Sequence, residues 1–146
     1  MKKIYKIGII GTGSIAIKHA QAIGSLENAE LIGLFNPNPN SASKAKDKFS
    51  APVFSDWKAF ISLPGLEVIC IFTPSGMHFE PALKAIESGK HVYIEKPIEV
   101  TLDRADQLIR AAETKKVKLG VVFQNRFSPD FIKLNEAVKT GVFGHF

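Results

Sequence analysis

The sequence predicts an α/β fold, a doubly wound parallel sheet of about six strands with helices on its faces. Apolar strand-like runs alternate with amphipathic helix-like segments over all 146 residues. The run 68–72 is continuously apolar between Gly65 and Pro74, as expected of a strand that is covered on both faces. The first apolar run ends in a glycine-rich turn and then a helical pattern, which is typical of the first unit of such a sheet.

The N-terminal half follows this alternation. Ala16, Ala20 and Ile23 recur at helical spacing behind the glycine turn and form the inward face of the first predicted helix. Asparagine and proline alternate over 36–40 and mark the turn after the second strand. The predicted order is a strand over 4–10, a helix over 15–25, a strand over 30–35, a lysine-rich helix to about residue 49, a strand over 52–54 and a helix over 57–61.

The C-terminal half is marked by helix start and stop residues. Gly89 ends one helix, Thr101 caps the next, and Ser128 and Pro129 open the last, which ends at Gly141. The predicted strands here are 68–72, 91–94 and 119–123. The helices are expected to present these apolar faces: Phe79, Ala82, Leu83 and Ile86; Leu102, Ala105, Ile109 and Ala112, facing inward; and Phe131, Leu134 and Val138.

The glycine-rich turn, Gly11-Thr12-Gly13-Ser14-Ile15-Ala16, predicts a dinucleotide site. Gly11 permits a tight turn, Gly13 lets the backbone approach a pyrophosphate, and Ala16 keeps the helix close to the strand. The helix N-terminus, at Ser14 and Ile15, offers N–H groups and a partial positive charge to the anion. The alternative is an ordinary glycine turn, but a strand before the motif and a helix after it favour cofactor binding.

Charge and hydropathy limit the partners. The net charge of +5 comes from scattered lysines, with no basic run longer than two residues and no aromatic residues alternating with them. We therefore expect no nucleic-acid partner; a basic nucleic-acid binder would show salt-sensitive binding to DNA. No apolar run is long enough to span a bilayer, so we expect no membrane association either.

Cys70 is the one cysteine and lies inside an apolar run. Its position favours a core residue over a reactive nucleophile. One thiol cannot form an internal disulfide, so we expect a reducing, cytoplasmic setting, and we expect no metal site. The lysine-rich start superficially resembles a secretory signal, but Gly8, Gly11 and Gly13 interrupt the apolar run that follows it, which argues against one.

Asn36 stands where many dinucleotide folds carry an acid for the adenosine ribose. Asparagine can hydrogen-bond a ribose, but it lacks the charge that repels a 2′-phosphate, and no arginine follows to bind that phosphate. Ser41, Ser43 and Lys44 can supply donors instead. The alternative is that Asn36 only opens a turn. The choice between NAD and NADP stays open.

Polar residues follow the later strands at the carboxyl edge of the sheet, where ligands bind in such folds. After the fourth strand, Thr73, Pro74 and Ser75 contact either the cofactor or the start of the next helix, and His78 faces either the cleft or solvent. Thr73 and Ser75 can cap that helix.

Glu95-Lys96-Pro97 follows the fifth strand. There a partly desolvated lysine suits proton exchange with a substrate hydroxyl, and Glu95 can hold a nicotinamide ribose. The alternative is an exposed Glu–Lys pair. Gln124-Asn125-Arg126 follows the sixth strand and is either a polar loop leading into a helix or a contact to nicotinamide or substrate.

Four of these motifs together resemble the N-terminal half of the glucose–fructose oxidoreductase, inositol dehydrogenase and MocA family, over nearly the whole chain. They are the glycine-rich turn, the segment from Thr73 to His78, Glu95-Lys96-Pro97 and Gln124-Asn125-Arg126. The resemblance implies a Rossmann domain over 1–146 that binds NAD or NADP. It also implies hydride transfer between nicotinamide and a carbinol of a sugar, inositol or nucleotide sugar. By similarity, Lys96 is catalytic, and the cofactor-binding residues are Gly11, Gly13, Ser14, Ile15, Asn36, Thr73, Pro74, Ser75, His78, Glu95, Lys96 and Gln124.

The chain departs from the family in length, because family members are more than twice as long and carry a C-terminal α/β domain with most of the substrate pocket. We therefore expect this chain alone to bind nucleotide with little or no turnover, and to self-associate as a homo-oligomer through an apolar face. His145 lies too near the end to replace the missing catalytic partner. The alternative function is a non-catalytic module that binds or senses NAD(P).

Overall fold

The computed structural model describes residues 2–144, and in this range it contains one sheet of six parallel strands. Neighbouring strands lie in the order β3-β2-β1-β4-β5-β6, which confirms the predicted doubly wound sheet. The strands are β1 (Tyr5–Ile10), β2 (Ala29–Phe35), β3 (Val53–Phe54), β4 (Leu66–Ile71), β5 (His91–Ile94) and β6 (Leu119–Val121).

Helices connect the strands, as the alternating pattern predicts. The lysine-rich helix after β2 is shorter than expected, because it changes at residue 46 into a 3₁₀ turn over Lys46–Lys48. A second 3₁₀ turn, over Gln124–Phe127, precedes the last helix. The helices are α1 (Ser14–Gly24), α2 (Pro39–Ala45), α3 (Trp57–Ile61), α4 (Phe79–Glu87), α5 (Leu102–Lys115) and α6 (Pro129–Lys139).

Two apolar clusters cover the two faces of the sheet. Successive residues of β4 alternate between them: Ile69 and Ile71 pack in the cluster that includes residues of α3, α4 and α5, whereas Cys70 packs with Ala16 and Ile23 of α1. The continuous apolar run of β4 is therefore covered on both faces, as predicted. The carboxyl ends of all six strands point to the same edge, since the strands are parallel.

The inward face of α5 differs from the prediction. Ala105, Leu108 and Ala112 are buried, whereas Leu102 is 85% exposed and Ile109 is 43% exposed. Residues 105, 108 and 112 are spaced i, i+3, i+7, so both sets fit a helical period, but the helix is rotated toward Leu108. Leu102 lies in the first turn, immediately after the capping residue Thr101.

The last helix has no buried residue among those the structure describes. Its predicted apolar face, Phe131, Leu134 and Val138, is exposed by 42–51%. Pro129 stands at its start, as predicted, although the Ser128 side chain makes no capping hydrogen bond within residues 2–144. The expectation for His145 lies outside the described residues. Among the helices of the described range, none is long and apolar enough to cross a membrane.

Candidate functional site

The glycine turn after β1 requires glycine at position 11. Gly11 has a φ of 103°, and a Cβ built there would lie 2.6 Å from the carbonyl oxygen of Phe72, at the end of β4. Gly13 has an ordinary φ of −78°, and a Cβ there would meet no described atom within 4 Å. Gly11 therefore fixes the turn against β4, while Gly13 leaves open space beside the backbone.

The N-terminus of α1 faces this open space. Helix α1 begins at Ser14, and within residues 2–144 no side chain caps it and no acid stands in its first turn. Its first N–H groups and the positive end of its dipole are therefore available to an anion. Ala16 is fully buried against the sheet, which holds the helix close to β1 and β2. This is the arrangement that accepts a dinucleotide pyrophosphate.

A cleft of about 670 Å³ opens at this edge of the sheet. It lies at the carboxyl ends of β1, β2 and β4, where ligands bind in open α/β sheets. Nine residues predicted from the sequence come together in its lining: Gly11, Gly13, Ser14, Ile15, Asn36, Ser41, Lys44, Thr73 and Pro74. The other lining residues are Thr12, Pro37, Ala45, Lys48, Phe72 and Met77.

Asn36 forms the turn that was one of its two predicted roles, and its side chain also lines the cleft. Its Oδ1 accepts a hydrogen bond from the Asn38 N–H at 3.0 Å, which forms the expected turn. Its Nδ2 donates to Thr12 Oγ1 at 2.8 Å, which ties the end of β2 to the glycine turn. The side chain thereby lies in the lining of the cleft with a fixed orientation.

Two lysines also line the cleft. Lys44, near the end of α2, and Lys48, in the 3₁₀ turn that follows, both belong to its lining, as does Ser41. Among the described lining residues there is no carboxylate. Sequence analysis missed Lys48, because the change from α-helix to 3₁₀ turn at residue 46 decides where it lies.

Lys96 and Gln124 line a second cavity of about 350 Å³, formed by the segments that follow β5 and β6. Asn125 and Arg126 line it as well, so the two polar motifs predicted at this edge do meet. The Lys96 side chain is exposed here, and the peptide bond between Lys96 and Pro97 is cis. The geometry joins a primary amine, an amide and a guanidinium around one space, which can hydrogen-bond a polyhydroxylated molecule.

Glu95 does not form the exposed pair with Lys96 that the sequence left possible. The residue is buried; its Oε2 accepts the Lys96 backbone N–H at 3.0 Å, and its Oε1 lies 3.2 Å from His19 Nε2. The His19 ring in turn stacks on Phe72, with a centroid distance of 4.0 Å. His19 was missed, although it follows Ala16 by three residues on the buried face of α1.

His78 is 1% exposed, so the solvent-facing alternative is wrong. Its Nδ1 lies 2.8 Å from the Pro97 carbonyl oxygen, and its Nε2 lies 2.9 Å from the Thr73 carbonyl oxygen. The ring thus bridges the segments that follow β4 and β5. Ser75 lies between Thr73 and His78 in the sequence and, by contrast, is exposed.

The N-terminus of α4 is capped from a distance rather than by Thr73 or Ser75. The Thr73 hydroxyl donates to the Met77 carbonyl at 2.9 Å, so it does not accept a helix N–H as the capping alternative expected. The Phe79 N–H instead donates to Glu99 Oε2 at 3.0 Å. Sequence analysis missed Glu99, because a partner 20 residues away leaves no local pattern.

Cys70 is a buried free thiol, as expected of a core residue. Burial raises its pKa to about 12, which keeps the thiol protonated and therefore a poor nucleophile.

The chain resembles many known proteins, and three of them serve as examples. It is 29% identical over 137 residues to scyllo-inositol 2-dehydrogenase (NADP(+)) of Bacillus subtilis, covering 93% of this chain and 38% of that protein. It is 34% identical over 122 residues to glucose-6-phosphate 3-dehydrogenase of Bacillus subtilis, covering 84% of this chain and 34% of that protein. The WlbA dehydrogenase of Bordetella pertussis, solved with NADH and UDP-GlcNAcA, matches 97% of this chain and 44% of that one, with 28% identity and a TM-score of 0.89.

The chain thus spans less than half the length of these three proteins. A family model described as an oxidoreductase family with an NAD-binding Rossmann fold matches residues 5–123. This range contains all six strands, the glycine turn, the Thr73–His78 segment and Glu95-Lys96-Pro97, and it ends one residue before Gln124. The resemblance drawn from the four motifs is confirmed. The chain belongs to the glucose–fructose oxidoreductase, inositol dehydrogenase and MocA family of oxidoreductases, as a domain with its NAD-binding Rossmann fold.

Proposed function

We propose that this chain forms the cofactor-binding half of an NAD(P)-dependent oxidoreductase acting on a carbinol of a sugar, inositol or nucleotide sugar. The observation that carries the proposal is the glycine turn, with the uncapped N-terminus of α1 open to a cleft at the carboxyl edge of the sheet. The similar proteins support the substrate class, because two names specify an inositol and a sugar phosphate, and the WlbA dehydrogenase was solved with a nucleotide sugar.

Each group of residues has a role in this proposal. Gly11, Gly13, Ser14 and Ile15 hold the pyrophosphate, and Asn36 holds the adenosine ribose. Thr73, Pro74 and Ser75 contact the cofactor from the β4 side. At the nicotinamide end, Gln124 acts directly. Glu95 and His78 also act there, through the backbone segments that they hold in place. When bound, NAD(P) supplies the nicotinamide C4 that donates or accepts hydride.

Lys96 is the proposed catalytic residue. Its exposed side chain lies in the second cavity, beside Gln124, Asn125 and Arg126. The ammonium group can hydrogen-bond a substrate hydroxyl and exchange a proton with it as the carbon is oxidised or the carbonyl reduced. The donors around it orient the same molecule, so that the hydroxyl-bearing carbon is held for transfer.

We propose further that the cofactor is NADP. Asn36 carries no charge that would repel a 2′-phosphate, and Lys44 and Lys48 line the same cleft. The name of the inositol dehydrogenase from Bacillus subtilis, which specifies NADP(+), agrees with this preference. The bound NADH of the WlbA dehydrogenase is a reason to measure both nucleotides.

The rest of the proposal concerns the setting of the domain. Residues 1–146 act as one Rossmann domain, and residues outside it complete the substrate pocket, so the chain alone binds nucleotide with little or no turnover. The exposed apolar face of α6 favours a homo-oligomer. The buried free thiol of Cys70 is compatible with a reducing, cytoplasmic location.

Parallel calorimetric titrations of the chain with NADPH and NADH, at fixed salt, test the proposal. We expect saturable binding of one nucleotide per chain, with NADPH the tighter ligand. Lys96→Met is expected to retain nucleotide binding, because its side chain serves the substrate rather than the pyrophosphate. Failure of both nucleotides to bind folded protein would reject the cofactor assignment. Rapid oxidation of inositols by the chain alone, with a nicotinamide cofactor, would reject the proposal that residues outside the domain complete the substrate pocket.

A further inference from the structure

The segment 95–99, which carries Lys96, is tied to its surroundings at three points. Glu95 contacts His19 on α1, as described above. The Pro97 carbonyl contacts His78 at the start of α4, and the Glu99 carboxylate accepts the Phe79 N–H. Two of these three ties therefore meet at consecutive residues, His78 and Phe79, at the N-terminus of α4. We use the name α4 brace for His78 and Glu99 together with their contacts at this helix N-terminus.

In the α4 brace, the carboxylate of Glu99 accepts hydrogen bonds through both of its oxygens. Its side chain has no solvent exposure, and its Oε1 accepts the Val100 N–H at 2.7 Å while its Oε2 accepts the Phe79 N–H at 3.0 Å. Arg104 Nη1 lies 3.8 Å from Oε2 and adds an ion pair. A carboxylate at a helix N-terminus is also favoured by the helix dipole. These contacts stabilise one position of the backbone at residues 99 and 100.

His78 fixes the same segment two residues earlier. Both groups that face its ring nitrogens are carbonyl oxygens, of Pro97 and Thr73, and carbonyl oxygens only accept hydrogen bonds. A neutral ring carries one N–H and donates to one of them; the imidazolium donates to both. With hydrogen on Nδ1, the ring donates to the Pro97 carbonyl and holds it next to the Thr73 segment, which lines the cofactor cleft.

We propose that His78 and Glu99 are positioning residues for Lys96. Both are buried, and their hydrogen bonds are to the backbone of segments that border the two cavities. Lys96 lies one residue before the carbonyl that His78 holds and three residues before Glu99. Release of the brace lets the backbone of 96–100 shift, and a displacement of about 1 Å is enough to impair a proton transfer. The inference rests on the proposed role of Lys96.

The test reads the surroundings of Lys96 directly. The chain is labelled by reductive ¹³C-methylation, and the dimethyl-lysine NMR signal of Lys96 is assigned with Lys96→Arg. In the wild-type chain we expect this signal to be displaced from those of freely exposed lysines and to shift when NADPH is added. In Glu99→Gln we expect it to lose more than half of that displacement, with nucleotide affinity kept within about threefold. In His78→Asn we expect a loss of displacement of the same size.

The matched control is Glu80→Gln. Glu80 is exposed in the first turn of α4, so this change removes the same charge from the same helix end without touching the brace. We expect it to leave the Lys96 signal unchanged. A wild-type Lys96 signal that matches free lysine, or one unaffected by both brace substitutions, would overturn the proposal. So would an equal change in the control.

Amide hydrogen exchange of the wild-type chain keeps the test valid if the variants do not fold. Phe79 and Val100 amides must be protected if Glu99 accepts both, and exchange at the rate of free loop amides would overturn the proposal. Failure of the proposed function has a different signature. In that case the chain would not bind nucleotide, while the apo Lys96 signal and the two protected amides would still report the brace.

Discussion

His19 Nε2 and Glu95 Oε1 lie 3.2 Å apart, and this contact joins the middle of α1 to the end of β5. The two residues are 76 positions apart in the chain. The helix that presents its N-terminus to the cofactor cleft is thereby connected to the segment that carries Lys96. The stacking of His19 on Phe72 extends the connection to the end of β4.

A double-mutant cycle measures this contact. We expect His19→Ala to destabilise the chain by about 2 kcal/mol, because it removes the partner of a buried carboxylate and the stacking on Phe72. Glu95→Gln is expected to cost about 1 kcal/mol, and the double substitution less than the sum, with a coupling of about 1 kcal/mol. Urea unfolding of the four proteins gives these values. Strict additivity would show that the two side chains do not interact in solution.

Gly11 and Gly13 are expected to respond differently to alanine. Gly11→Ala forces a Cβ against the Phe72 carbonyl at a φ of 103°, so we expect a loss of about 2 kcal/mol or more in the free energy of unfolding. Gly13→Ala meets open space and should stay within about 1 kcal/mol of the wild type. Its Cβ projects where the pyrophosphate is proposed to lie, so nucleotide affinity should fall about tenfold or more. Urea unfolding and calorimetry separate the two effects, and equal stability loss would contradict the assignment.

Asn36→Asp tests the proposed preference for NADP. The new carboxylate would repel a 2′-phosphate and accept the hydroxyls of an unphosphorylated ribose. We expect NADPH affinity to fall about tenfold or more, while NADH affinity is unchanged or rises. Asn40→Asp adds the same charge at an exposed position in the first turn of α2 and should leave the ratio of the two affinities unchanged. A parallel fall for both nucleotides with Asn36→Asp would show a structural role only.

The fold was largely predictable because its signals are local. Trp57–Ile61 and His91–Ile94 have the predicted bounds, and the other strands and helices differ mostly by one or two residues at their ends. The carboxyl edge of a parallel sheet then brings together side chains that follow different strands, which is why Lys96 and Gln124 could be placed in one site. Pairing extends β4 back to Leu66, which lies opposite Lys6, and no local pattern indicates this.

Two of the missed residues, Glu99 and His19, each contact a residue far away in the sequence. Glu99 caps a helix that begins 20 residues earlier, and His19 finds Glu95 across the sheet edge, so neither contact has a spacing that a sequence pattern can show. The face of α5 was missed for another reason. Leu102 and Ile109 fit a helical period as well as Leu108 does, and only the tertiary packing decides which of them is buried.

Cys70 is expected to make the stability of the chain fall at alkaline pH. Burial raises its pKa to about 12 from an ordinary value of 9.0, so between these values the unfolded thiol loses its proton and the folded one keeps it. The contribution of the protonated thiol to the free energy of unfolding is complete below pH 9, and above pH 9 it falls by about 1.4 kcal/mol per pH unit. Between about pH 8 and pH 10, the wild type should therefore lose about 1.4 kcal/mol more than Cys70→Ala in urea unfolding. Identical pH dependence of the two proteins would contradict the burial of the thiol.

The exposed apolar face of α6 is expected to cause self-association. Leu134 is 49% exposed between Phe131 and Val138, and burial of these side chains against a second chain is favourable. We expect Leu134→Glu to lower the average mass seen by light scattering at high concentration, and Asn135→Glu, which adds the same charge to the same helix, to have a much smaller effect. A monodisperse wild-type monomer would contradict this prediction.

The long-range cap of α4 also has a consequence for how the chain folds as it is synthesised. When residues 79–87 have just been synthesised, the carboxylate that accepts the Phe79 N–H has not yet been made, because Glu99 follows Phe79 by 20 residues. A free peptide of residues 74–90 should therefore be less helical than a peptide of residues 100–116, whose cap, Thr101, lies beside the helix that it starts. The start of α4 becomes stable only after the loop that carries Lys96 has reached its place.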